Sequence, residues 1–190
     1  MTRPTPAELE AARDRVIEDV VAGGLSVLFC GINPGLMSGA TGHHFARPGN
    51  RFWPVLHLSG FTPRQLKPSE QRELLSCGLG ITNVVARTTA RADELTDAEF
   101  REGGRLLAAK VERLEPRCLA VVGVTAYRTA FGERSARIGP QERTIGGTRV
   151  WVLPNPSGLN AHWSLRAMAD EYSRLREAVA AGQARKDAGP

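Results

Sequence analysis

Leu25-Ser26-Val27-Leu28-Phe29-Cys30-Gly31-Ile32-Asn33-Pro34-Gly35 decides the fold. The run from Val27 to Cys30 is apolar and does not alternate, the pattern of a strand buried on both faces of a parallel sheet. It stops at Gly31-Ile32-Asn33-Pro34-Gly35 and gives way to a polar, glycine-rich loop carrying His43, His44, Phe45, Arg47 and Arg51 before Phe52. A strand that delivers one amide at its C-terminal tip, beside a polar loop, is how open α/β sheets build sites.

Working outward, the same pattern recurs. Ile81 to Val85, Cys118 to Val122 and Arg149 to Leu153 are further apolar strand segments, and helix signals lie between them. Thr5-Pro6-Ala7-Glu8 has a hydroxyl cap, Pro at the first helical position and Glu at the third, predicting a helix to about Val21. Short helices are expected at 51–58, 68–77 and 124–131. A capping box at Thr96 starts a longer helix to Leu114, and an amphipathic helix should fill 164–181. Residues 132–147 read as a loop with an edge hairpin, and 183–190 as a frayed polar tail. The expectation is α/β: a single three-layer α/β/α domain with a central, mainly parallel four-stranded sheet and a core at about 25–181. Right-handed crossovers put the strand C-termini on one edge, so the loops at Asn33, at 86–95 and at Asn155 should converge there.

Composition narrows the function classes. The 190 residues are 42% hydrophobic and 24% charged, ordinary for a soluble domain. No apolar run reaches the roughly 20 residues of a membrane helix, and no signal-peptide h-region is visible, so a cytoplasmic protein is expected. The net charge is +5 and nearly all the positive charge is arginine, which is consistent with nucleic acid without demonstrating it. Cys30, Cys77 and Cys118 lack CxxC spacing and read as unpaired thiols. His43-His44 has no third ligand, so no metal is expected.

Gly31-Ile32-Asn33-Pro34-Gly35 is neither a dinucleotide fingerprint nor a P-loop, since it lacks G-x-G-x-x-G and Gly-Lys-Ser/Thr. Alone, Asn33 could serve its own turn. It does not stand alone. Phe45, Asn50-Arg51-Phe52-Trp53 and, after the last strand, Leu153-Pro154-Asn155-Pro156-Ser157-Gly158-Leu159 accompany it in order. Together these motifs resemble the mismatch-specific uracil-DNA glycosylases, bacterial relatives of thymine-DNA glycosylase in the uracil-DNA glycosylase superfamily, over roughly residues 25 to 180.

The resemblance implies a monofunctional glycosylase that flips uracil out of double-stranded DNA, preferentially from G·U mismatches, and hydrolyses its glycosidic bond to leave an abasic site. Asn33 would position the attacking water, Phe45 would stack on the base, and Ile32, Gly35 and Asn155 would surround it. Leu159 would be the wedge, with Ser157, Gly158 and Asn160 facing the opposite strand. Arg47, Arg51, Arg87 and Arg91 are candidate phosphate contacts. A carboxamide cannot take a proton from water at neutral pH, so Asp93, after the second strand, is the candidate base. No cofactor is implied, and a monomer is expected. Two alternatives stay open: a superfamily glycosylase with another base or a single-strand preference, and a non-catalytic binder of damaged DNA.

Overall fold

The computed structural model describes residues 3–187, with side chains through 184. Five strands form one sheet: β1 (Val27–Gly31), β2 (Leu79–Asn83), β3 (Cys118–Val122), β4 (Gly139–Ile145) and β5 (Thr148–Leu153), in the order β2-β1-β3-β5-β4. Every pairing is parallel except β4 with β5. The helices are α1 (Pro6–Glu10), α2 (Leu36–Thr41), α3 (Phe52–Leu58), α4 (Asp97–Leu114), α5 (Val124–Phe131) and α6 (Leu165–Asp187), with a 3₁₀ segment at Pro68–Cys77. No helix among the described residues is long and apolar enough to cross a membrane.

Alternate residues of the buried central strand serve two cores. Val27 and Phe29 face Phe52, Trp53 and Leu56 of α3 and Tyr172 and Leu175 of α6. Leu28 and Cys30 face Leu107 and Val111 of α4 and Tyr127 of α5. Phe29 packs edge-on against Phe52 (5.5 Å) and Phe61 (5.3 Å). Removing so enclosed a ring would cost about 3–5 kcal/mol. In α4, glycines at 103 and 104 let the helix lie directly on the backbone at Val84 and Ala130, where a Cβ would overlap a carbonyl oxygen. The expected three layers are present, and the strand ends at Gly31, Asn83, Val122 and Leu153 share one edge.

The structure departs from expectation at several places, each with a local cause. The sheet has five strands, not four, because residues 139–145 pair with β5 as a polar antiparallel edge strand with an irregular register between Pro140 and Thr144. The first helix ends at Glu10 rather than near Val21. Asp14 takes a left-handed conformation (φ 62°), and the β-branched residues beyond it run extended along the free edge of β2, where Val20 and Ile81 exchange backbone bonds of 2.9 and 2.8 Å. That strip covers an edge that would otherwise offer unpaired groups. β2 lies two residues earlier than expected, and Val84 and Val85 instead send their amides past the sheet end to Gly31 and Ile32 carbonyls. The loop after Asn33 contains α2, and the final helix continues to Asp187, so 183–187 is helical rather than frayed; 188–190 lie outside the described residues.

Candidate active site at the carboxyl edge of the sheet

Asn33 sits one residue beyond Ile32, where the backbone leaves the sheet, and its amide is held from behind. Nδ2 donates to the Arg87 carbonyl (2.9 Å), Thr89 Oγ1 (2.8 Å) and the Pro34 carbonyl (3.2 Å). The Thr89 hydroxyl donates its own proton to the Arg91 carbonyl (2.7 Å), so toward Asn33 it can only accept. All three neighbours are acceptors, which fixes the nitrogen inward and leaves Oδ1 outward, without a donor among the described residues. The loop after β2 therefore orients the amide at the tip of β1.

Phe45, on the loop that follows, adopts φ 52° and stacks on Phe52 with ring centroids 4.0 Å apart. Gly31 passes beneath: a Cβ there would come 3.2 Å from Phe45 Cζ and overlap Asn83 Oδ1. Asn83, at the tip of β2, is a site residue the sequence reading missed, although it ends its strand as Asn33 nearly ends β1. Its orientation follows from His44, which is 2% exposed. His44 Nε2 lies 2.9 Å from the Glu18 carbonyl, an acceptor, so Nε2 carries the proton. Burial holds the imidazole pKa below its ordinary value and keeps the ring neutral. Nδ1 is then an acceptor for Asn83 Nδ2 (3.3 Å), which turns Asn83 Oδ1 toward Gly31.

The second loop follows β5. Asn155 Oδ1 accepts from the Ser157 amide (3.0 Å), and its carbonyl accepts from Asn160 Nδ2 (3.0 Å). The turn that results lifts Leu159 out of the protein, 75% exposed. Asn155 and Leu159, with Ile32, Gly123, Pro154 and Trp163, line a cleft of about 450 Å³. Gly158 lies against the Gly49 carbonyl, closing the gap between the two loops.

The arginines divide. Arg87 pairs with Glu99 (2.8 Å) and Asp14 (2.9 Å), and this contact holds the Glu99 carboxyl down at about 2. The Arg51 guanidinium bonds main-chain carbonyls of the second loop. Both of these candidate phosphate contacts therefore already have partners within the protein. Arg47 is exposed with no side-chain partner among the described residues. Arg91 is exposed and pairs with Asp93. Asp93 is likewise exposed, in a 3₁₀ turn, and makes no hydrogen bond to Asn33. Among the described residues no group of three or more His, Cys, Asp or Glu could hold a metal.

A strand-tip amide with a free acceptor, an aromatic face, a second oriented amide and an exposed leucine on a facing loop form one edge. Two comparisons bear on it. A solution NMR structure from Methanosarcina acetivorans, of a protein provisionally named a uracil DNA glycosylase, is similar in fold. Its TM-score is 0.58 at 19% identity, over 86% of this chain and 98% of that one. The family model for the uracil DNA glycosylase superfamily matches residues 18–180, a span that includes every group placed at the sheet edge above. The chain belongs to the uracil DNA glycosylase superfamily.

Proposed function

We propose that the protein excises uracil from double-stranded DNA, with preference for uracil opposite guanine, by flipping the nucleotide and hydrolysing its glycosidic bond. The observation that carries this reading is the outward Oδ1 of Asn33, fixed by three acceptors on its nitrogen, just beyond the strand end whose Gly31 lies against Phe45 and Asn83. A base inside a duplex must leave the stack before C1′ can be reached, at a cost of a few kcal/mol that is smaller for a mismatched pair. Leu159 fills the vacated space, with Ser157, Gly158 and Asn160 toward the opposite strand. Phe45 covers one face of the flipped ring, and Ile32, Gly35 and Asn155 border it. Asn83 Oδ1 suits the N3–H of an imide and an amide hydrogen suits O4, an arrangement that favours uracil over cytosine. Arg47 and Arg91, on the rim, contact phosphates.

The chemistry runs without a strong base. The C1′–N1 bond breaks with its electron pair leaving on uracil N1, and water held by Asn33 Oδ1 adds to the developing cation at C1′. The water proton passes to solvent or to the departed uracil anion. No carboxylate among the described residues hydrogen-bonds to Asn33, so turnover is slow, and Asp93 can contribute only by leaving its contact with Arg91. The test uses labelled DNA with uracil opposite guanine, opposite adenine and in a single strand, followed by alkali. Fastest strand breakage with the G·U duplex supports the proposal. Preference for single strands supports the broader glycosylase alternative. Tight binding to damaged duplex with no breakage anywhere would establish the non-catalytic binder and overturn the reading.

A further inference from the structure

We infer that Arg51 is a positioning residue for the wedge: it braces the loop carrying Leu159 against the start of α3, on whose Phe52 the base-stacking ring of Phe45 packs. The inference deepens the glycosylase reading and rests on it. The Arg51 guanidinium converges on the carbonyls of Trp163 (2.5 Å), Ser157 (2.6 Å) and Asn160 (2.8 Å), and its own amide donates to the Pro156 carbonyl (2.9 Å). Three carbonyl oxygens turned toward one point repel one another. A planar cation with forked donors resolves that repulsion, and a lysine offers no such fork. Nε is buried without a partner, so the group is oriented entirely by the loop carbonyls.

The other end of the brace is rigid. Arg51 immediately precedes α3, whose Phe52 and Trp53 are core residues, and Phe52 stacks on Phe45. Gly158 adds a second contact, since a Cβ at that position would stand 2.5 Å from the Gly49 carbonyl. The loop bearing Leu159 therefore belongs to the same body as Phe45. A wedge held this way meets the duplex already formed, with no ordering cost at the moment of insertion. Single-stranded substrate has no opposite strand to support and needs the brace far less.

Hydrogen exchange of the amides at 157–163 and single-turnover excision, both on the full chain, test this with Arg51→Ala and Arg51→Lys. In Arg51→Ala, exchange at 157–163 accelerates by about tenfold or more, while the strand amides keep their protection. Excision from the G·U duplex falls about tenfold and that from single strands no more than about twofold, since misplacing a positioned group costs rate only where the group is used. Added guanidinium ion at low concentration restores the duplex rate of Arg51→Ala, and ammonium does not. Arg51→Lys lies between and carries the comparison if the alanine variant fails to fold. Unchanged exchange at 157–163, or equal losses on both substrates, overturns the inference. If the unaltered protein excises no uracil, the glycosylase reading fails and the exchange measurement alone decides the brace.

Discussion

The two strand-end loops meet at one edge but are built on different physics. The first, after β1, is held by neutral groups. Asn33 gives its nitrogen to the Arg87 and Pro34 carbonyls and the Thr89 hydroxyl, and Asn83 is aimed by a neutral, buried His44. The second, after β5, is held by a charge, with the Arg51 guanidinium gathering three of its carbonyls. The contrast follows from the task of each. An amide that must place a water within a narrow angle needs several directional bonds. A leucine that must only stand out from the surface needs a loop of fixed shape, and one multidentate cation supplies it.

The sharpest way to break the comparison is to disturb the neutral loop. Gly31→Ala puts a methyl into Asn83 Oδ1 and against Phe45. Overpacking should cost about 1–3 kcal/mol of stability. Displacing both groups should lower single-turnover excision on the order of 10²-fold. A folded Gly31→Ala variant with unchanged excision would show that neither group borders the reacting base. Leu159→Ala is next: duplex excision should drop about tenfold as the filled space is lost. Melting should barely change, because so exposed a side chain is worth less than roughly 0.5 kcal/mol to the fold. Loss of stability matching loss of rate would remove the wedge assignment.

Acid probes the neutral loop more gently. Burial lowers the His44 pKa below 6.5, so the unfolded chain takes up this proton before the folded one does. The stability that neutral His44 contributes is complete above the unfolded value and declines as pH falls from about 6.5 toward the depressed folded value. Melting temperatures taken between pH 7.5 and 5 should fall, and His44→Gln should flatten that slope; an unaltered slope would contradict the assignment of His44 as neutral. The smallest effect is expected at Asp93. Asp93→Asn should leave the single-turnover rate within about twofold, whereas a true general base contributes on the order of 10²–10⁴-fold.

The sequence made parts of this molecule legible where one segment carries its own signal. The apolar run at Val27 to Cys30 has the pattern of a strand buried on both faces and forms one, and its end placed Asn33 at the sheet edge. The motif after β5 likewise put Leu159 on a loop at the same edge, where it lines a cleft with Ile32. What escaped depends on partners distant in the chain. The capping box at Thr5 reports on one helical turn and is silent on Val16 to Val21, whose extended path is set by the open edge of β2. β4 is polar and bulged, and gains its order only by pairing with β5. Arg51 and Arg87 carry the same charge, yet their partners are carbonyls over a hundred residues away in one case and Asp14 and Glu99 in the other. Local sequence cannot tell such an arginine from one free to meet a phosphate.

The central claim is that the outward oxygen of Asn33 places the water that attacks the sugar. Single-turnover excision of uracil from a G·U duplex, comparing the unaltered protein with Asn33→Ala alongside DNA affinity for both, tests it most directly. Alkali-labile sites are expected from the unaltered protein, with a rate lower by on the order of 10²-fold or more in the variant and similar affinity. Excision undiminished in Asn33→Ala would contradict it.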